Sequence, residues 1–227
     1  RRTAIGVQLM TMFGSQWFAA RAPASVVFTD SAVNTTSQTT YTFTNHPIGT
    51  AAANRKIIVA AECANNARTV STITVGGVSA ALISGTRVSE PSTTQVELWQ
   101  ADVPTGTTGT IVVAWSGVSG TRGSIGVWAV YGAGSVEHAV AIDNSSPYNQ
   151  DVVVPAGGII VAACIGISAT SFTWDSPMVE DYDELIEATT YHSGAHYASA
   201  AGETVTVVMT PSTVDAHAMA AVSFGPA

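Results

Sequence analysis

Charged residues are scarce in this sequence. Asp, Glu, Lys and Arg make up 11% of its 227 residues, against about 25% in an average soluble domain. Lys56 is the single lysine, and the net charge is −8. Because the few basic residues are scattered along an acidic chain, the sequence lacks the positive surface that nucleic-acid binding needs. We therefore expect no nucleic-acid partner.

Cysteines and long hydrophobic runs are also few. Cys63 and Cys164 are the only cysteines, which is too few for a disulfide framework, and we predict that both are buried free thiols. No apolar stretch reaches the roughly 20 residues of a membrane-spanning helix. We therefore expect no membrane partner.

The residues that are abundant favour β-structure. Short runs rich in Val, Ile, Thr and aromatic residues alternate with Gly, Pro, Asn and Ser clusters, which is typical of strands and turns. Gln95 to Gln100 alternates polar with apolar residues, whereas Thr110 to Trp115 and Ile125 to Tyr131 are nearly continuous apolar strands. Met178 to Ala188 has weak helical spacing, but an extended structure fits it equally well. The sequence predicts an all-β protein.

An internal repeat organises these strands. The string Ile-Ile-Val-Ala-Ala occurs at Ile57 and again at Ile159, and matching strands follow each copy. We divide the chain into pseudo-repeats 25–134 and 135–227, with roughly seven strands each, which predicts an antiparallel β-sandwich. Two arrangements fit: one jelly-roll-like sandwich whose sheets draw strands from both halves, or tandem immunoglobulin-like sandwiches. We favour the single sandwich because no polar linker separates the repeats.

The first 22 residues include a run from Ile5 to Phe18 that is rich in apolar and aromatic residues. Ordered apolar termini must pack against something, because free termini normally fray. We predict that residues 1–22 form an anchoring arm that docks on a neighbouring subunit, and that residues 23–227 form the sandwich domain. The alternative is an edge strand or short helix folded back on its own domain. The apolar residues that would make the contact are Ile5, Leu9, Met10, Met12, Phe13, Trp17 and Phe18.

Several strings resemble a known structural module. They are Arg55 to Ala60 with Thr74 to Val78, Leu98 to Gly106, and Val154 to Gly158. Together they resemble the β-sandwich virion proteins of tailed bacteriophages and gene transfer agents. The resemblance implies a head-spike, head-fibre or tail-tip protein at the virion surface, with other virion proteins as partners. It implies no active site, because the motifs are turns and buried strands.

Catalytic and metal-binding patterns are weak. On a strand, His192 and His196 would lie about 13 Å apart, too far to share a metal ion, and no Gly-x-Ser-x-Gly motif occurs. Asp175, Asp181 and Asp183 could offer oxygen ligands to calcium, but they lack the spacing of a calcium loop. We predict an exposed acidic loop, no metal, no cofactor and no enzyme activity.

Two tryptophans are the better candidates for contacts with a partner. If Val96 and Leu98 face the core, Trp99 and Glu97 lie on the opposite, exposed face of the same strand. Trp174 and Asp175 adjoin the acidic segment. An exposed tryptophan beside a carboxylate suits either a subunit interface or a sugar. These four residues are therefore the candidate glycan or subunit contacts, with Trp115 and Trp128 in the core.

Taken together, the sequence predicts a homo-oligomeric structural component of a phage-like particle, possessing an N-terminal anchor. Contact with a host-surface polysaccharide is a secondary expectation. One alternative is a secreted or cell-surface carbohydrate-binding module or adhesin. A second is an envelope-polysaccharide glycosidase, which would need paired carboxylates where the chain has one acidic cluster.

Overall fold

The structure is a computed structural model that describes residues 21–64, 68–90, 94–117, 122–143, 148–169, 171–213 and 216–227. The seven apolar residues predicted to anchor the arm, from Ile5 to Phe18, lie outside these ranges. The described residues form strands and turns without a helix, so the segment from Met178 to Ala188 is extended. Within these ranges no helix has the length and apolar character to cross a membrane.

The first half of the chain forms two antiparallel sheets. Its inner sheet has the order β1-β10-β3-β8-β6, with β7 also paired to β8, and its outer sheet has the order β2-β9-β4-β5. The strands are β1 (Ser25–Asn34), β2 (Thr40–Pro47), β3 (Arg55–Ala64), β4 (Val70–Val75), β5 (Val78–Ser79), β6 (Ala81–Leu82), β7 (Val88–Glu90), β8 (Thr94–Asp102), β9 (Thr108–Trp115) and β10 (Arg122–Tyr131).

The second half forms its own pair of sheets. Its inner sheet has the order β11-β18-β13-β16-β15, and its outer sheet has the order β12-β17-β14. The strands are β11 (Ala133–Asp143), β12 (Asn149–Val154), β13 (Ile159–Ile167), β14 (Phe172–Trp174), β15 (Val179–Glu187), β16 (Thr190–Ala198), β17 (Glu203–Pro211) and β18 (His217–Pro226).

The strand order in each half is that of a jelly roll. The first strand pairs with the last and the second pairs with the one before it, as two Greek keys wound together require. The predicted all-β antiparallel sandwich is therefore confirmed. Every described sheet draws its strands from one half only, so the single sandwich that we favoured, with sheets mixing both halves, is wrong. The molecule has two sandwiches in tandem, with jelly-roll order in place of the immunoglobulin-like alternative.

The two inner sheets pack face to face and create a third core between the sandwiches, which we call the junction. Ile57 and Val59 point into the first sandwich, whereas Ile58 and Ala60 of the same strand point into the junction. In the second half Ile159 points into the junction and Ile160 into its own sandwich. β3 and β13 are largely apolar on both faces because both faces are covered, as in other fully buried sheets.

Three parts of the chain meet at one end of the molecule, which we call the entry pole. The Arg21 guanidinium donates to the Pro226 carbonyl over 3.2 Å, and Ala227 N–H donates to the carbonyl of Gly132 over 2.7 Å. Gly132 is the single residue between β10 and β11, and its φ of +63° is a left-handed conformation that favours glycine. β3 runs from this pole, where Arg55 faces Tyr131, to the far pole, where Ala64 faces Arg122.

Arg55 holds the loops at the entry pole of the first sandwich. Its side chain is buried, and its guanidinium donates to the carbonyls of Val103, Gly49, Gly106 and Thr105 over 2.7 to 2.9 Å. The guanidinium has five donors in a fixed plane, which an ammonium group cannot match.

We expect Arg55→Lys to lower the free energy of unfolding by about 2 kcal/mol, because at least two buried carbonyls lose their donor. Urea unfolding measures the loss. Lys56→Arg, at the neighbouring position in an ion pair with the exposed Asp102, is the matched control and should change stability by less than about 0.5 kcal/mol. Equal effects of the two substitutions would contradict this role of Arg55.

Candidate functional site

The predicted contact residues Trp99 and Glu97 are buried. Trp99 is 7% exposed and Glu97 is fully covered, so the expectation that this face of β8 meets solvent is wrong. The Trp99 indole N–H donates to Glu97 Oε2 over 2.9 Å. Glu97 also accepts from the amide of Gln95, the guanidinium of Arg87 and the backbone N–H of Val70 over 2.6 to 3.0 Å.

The error has a structural cause. Alternation of polar and apolar residues along a strand predicts one solvated face, and Gln95, Glu97 and Trp99 form the polar side of that alternation. In the structure the outer sheet of the first sandwich covers that side, while the second sandwich covers Val96 and Leu98. The polar residues satisfy one another, which is what burial requires of them.

Trp174 is also a core residue. It is 6% exposed, packs in the second sandwich, and donates its indole N–H to Ser193 Oγ over 2.8 Å. Asp175, which follows it, is exposed. The structure therefore separates this predicted pair. Trp115 and Trp128 are buried as predicted.

The acidic segment is a strand that sends its carboxylates in different directions. A bulge between Glu180 and Tyr182 interrupts the pairing of β15 with β16. Asp181, inside the bulge, accepts from the Trp128 indole of the first half over 2.6 Å. Asp183 instead accepts from the backbone N–H of Phe172 over 3.1 Å. Among the described residues no three acidic, histidine or cysteine side chains converge as a metal site, so Asp175, Asp181 and Asp183 do not assemble a calcium site.

A second buried polar site lies inside the junction and was not predicted. Glu62 of β3 is fully buried, and its Oε2 lies 2.7 Å from Nδ1 of His192 on β16. The Ser124 hydroxyl donates to Glu62 Oε2 over 3.1 Å and the Tyr182 hydroxyl donates to Oε1 over 3.2 Å. On the other side of the imidazole, Glu184 Oε2 lies 3.5 Å from Nε2, a charge contact longer than a hydrogen bond.

This surrounding charge fixes the protonation of His192. Burial lowers the pKa of His192, but the carboxylates of Glu62 and Glu184 outweigh that effect and bring it to about 9. Burial first and then the Glu62 charge raise the pKa of the Tyr182 hydroxyl well above its usual value. At neutral pH the site therefore holds an imidazolium and a neutral tyrosine that donates to Glu62.

The Tyr182 ring fills the space between the two inner sheets. A Cβ added at Gly126 of the first half, or at Gly194 of the second half, would collide with its ring. The ring also stacks at 5.5 Å on Phe28 and lies 5.8 Å from the Trp128 ring. Two strands that lack side chains at these positions thus admit one aromatic ring between the halves, which accounts for both glycines.

The burial of this site favours a structural role over a catalytic one. An imidazole between carboxylates and beside a tyrosine can transfer protons, but His192 and Glu62 are fully buried between two sheets. A general acid or base must come within hydrogen-bonding distance of a substrate. Here each of these groups is occupied by another side chain of the same site. Glu62 was detectable in the sequence as the one charged residue in the apolar run from Ile57 to Ala64.

Both thiols are buried, as predicted, and point into the cores of their own sandwiches. Burial first, and then the charges of Glu62 and Asp183, raise the pKa of Cys164 well above the usual thiol value. We expect iodoacetamide at pH 8 to modify Cys164 at least about 100-fold more slowly in the native protein than in urea, because the thiolate is the reactive form and is inaccessible. Mass spectrometry of timed samples measures both rates. Similar rates would contradict the burial of Cys164.

No protein-family model matches this chain, and no curated protein matches it. The assignment of the site therefore depends on the geometry of the junction and of the two sandwiches, and the chain is placed by its fold as a tandem of two antiparallel jelly rolls.

Proposed function

We propose that the chain is a non-enzymatic structural component of a phage or phage-like particle, of the spike, fibre or tail-tip type. One observation carries the proposal: two jelly rolls are fused through a fully covered junction, so the described chain is built as one stiff unit with two poles. Its ionisable groups at the junction are used to join the halves. The resemblance of the turn and strand strings to virion sandwiches supports the same role.

The position of Arg21 gives the proposed orientation. Residues 1–20 connect to the sandwiches at the entry pole, beside Pro226. If they anchor the chain to other virion proteins or to further copies of itself, the far pole points away from the particle. Connections between strands at that pole, such as the one that follows β1 where Asn34 faces Gly123, would then face the host, and loops on a rigid scaffold are common binding surfaces.

The burial of Trp99 and Trp174 removes the main support for contact with a host-surface polysaccharide. The carbohydrate-binding alternative depended on an exposed tryptophan beside a carboxylate, and both indoles are covered and hydrogen-bonded. Contact with a host polysaccharide therefore rests on the family resemblance alone, and no observation favours the carbohydrate module over the virion protein.

Immunogold electron microscopy of particles from the producing organism tests the proposal. Antibodies against the folded chain should label particles, at protruding fibres or spikes. Labelling confined to the cell envelope, with unlabelled particles, would contradict a virion role.

Sedimentation of the purified full chain tests the anchor. We expect the chain to form oligomers, and the double substitution Leu9→Asp, Phe13→Asp to reduce them to the 23.3 kDa monomer. Val153→Asp, at an exposed valine of the second sandwich, is the matched control and should leave the oligomer intact. A wild-type chain that stays monomeric at all concentrations would contradict anchoring through the arm.

A further inference from the structure

We infer that the contact between Glu62 and His192 is a latch that keeps the two sandwiches together only while the imidazole carries its proton. The latch joins β3 of the first half to β16 of the second, and both side chains are fully buried. Because Gly132 alone connects the halves, a junction that opens would leave two sandwiches joined by a short hinge.

The two partners of this contact come from different halves of the chain, so opening the junction separates their charges. Glu62 faces Val96 across the β3–β8 ladder, and His192 faces Ile165 across the β13–β16 ladder. Within its own sheet Glu62 is bonded to the uncharged Ser124 hydroxyl, so its cation comes from the other half. His192 also faces Glu184 of its own sheet, and that carboxylate lies farther from the imidazole than Glu62 does. A buried charge without its partner is costly, so the proton on His192 decides whether the junction is balanced.

The charged groups that face His192 are carboxylates, and they favour the protonated form of the imidazole. Glu62 approaches from β3, and β15 contributes Glu184, the Tyr182 hydroxyl and, through space, Asp183. β13 contributes the uncharged Ile165. The nearby cation of β10, Arg122, is paired with Glu187 of β15. Among the described residues around the imidazole, the carboxylates therefore have His192 as their shared counter-charge.

The sign of the pH dependence follows from these contacts. The pKa of His192 is about 9 in the closed junction and near 6.5 when the imidazole is exposed. Its stabilising effect is therefore complete below about pH 6.5 and is lost as the pH rises through about 9. Between these two values opening releases one proton, so the equilibrium constant for opening rises about tenfold per pH unit, and above about pH 9 it levels off.

Energy transfer between the two sandwiches tests the latch in the full chain. Val78 and Val153 are exposed, one in each half, so Val78→Cys and Val153→Cys carry the two dyes while Cys63 and Cys164 stay buried. We expect transfer efficiency to be constant below about pH 6.5, to fall as the pH rises towards about 9, and to level off above it, while far-ultraviolet circular dichroism retains its strand signal. Loss of both signals together would overturn the latch, because it would show global unfolding.

Two variants assign the transition. Glu62→Leu combined with His192→Leu replaces the ion pair by apolar side chains, and its transfer efficiency should stay constant to about pH 10. His196→Gln alters the other histidine of β16, which pairs with Asp181, and should leave the midpoint unchanged. An unchanged midpoint in the double variant would overturn the proposal. If that variant does not fold, the nitrogen-15 titration of His192 in the wild-type chain decides, since its midpoint must coincide with the loss of energy transfer.

Discussion

Glu62→Leu is expected to lower the free energy of unfolding by about 3–5 kcal/mol, the usual cost of removing one partner from a buried ion pair. The substitution leaves the imidazole of His192 covered by both sandwiches without its closest carboxylate. It also removes the acceptor of the Ser124 and Tyr182 hydroxyls. Urea unfolding followed by circular dichroism measures the change.

Two further variants test whether the loss comes from the buried ion pair. Glu180→Leu alters an exposed glutamate of β15 and should change stability by less than about 0.5 kcal/mol. Adding His192→Leu to Glu62→Leu should restore most of the loss, because apolar side chains often replace a buried ion pair at little cost. A single-variant loss below about 1 kcal/mol would show that Glu62 is hydrated and that the junction is not sealed.

Glu97→Leu should lower the free energy of unfolding by a similar amount, about 3–5 kcal/mol, and the loss should be confined to the first sandwich. The Glu97 carboxylate is the shared acceptor for the indole of Trp99, the amide of Gln95, the guanidinium of Arg87 and one backbone N–H. Leucine fills the space but leaves these donors without an acceptor, and each buried unsatisfied group costs about 1–3 kcal/mol. Thermal unfolding followed by tryptophan fluorescence reports the effect, because Trp99, Trp115 and Trp128 all lie in the first half.

The matched control for Glu97 is Asp102→Leu at the end of the same strand. Asp102 pairs with Lys56 at the surface, and its side chain is 78% exposed, so the pair is worth at most about 1 kcal/mol. If Asp102→Leu destabilises the chain as much as Glu97→Leu does, the network around Glu97 does not carry the stability that we assign to it.

The fold class was readable from the sequence because strand signals are local. Runs such as Ile57 to Ala61 are β-branched and apolar at successive positions, and turn residues bound them. That same run also indicated a sheet covered on both faces, which a single two-sheet sandwich does not provide. The tandem arrangement depends on which strands pair, and such pairings join residues far apart in sequence that periodicity does not identify.

The site was harder to predict because its members come from distant strands. Glu62 and His192 are 130 positions apart, and neither has a diagnostic neighbour. Trp99 and Glu97 were assigned to solvent because their strand alternates, although the donors that satisfy Glu97 include Arg87, just before β7, and Val70 of β4. Polar residues that satisfy one another inside a core give the same alternating pattern as residues that meet water.

Nuclear Overhauser effects between Tyr182 and Gly126 test the central claim, that the two sandwiches are packed face to face, most directly. The Tyr182 ring belongs to the second half and lies against the backbone of Gly126 in the first half. The account predicts strong cross-peaks from the ring protons of Tyr182 to the α-protons of Gly126 and to the ring of Phe28 at pH 7. Absence of these cross-peaks in a folded chain, with the ring of Tyr182 exchanging with solvent-exposed conformations, would contradict it.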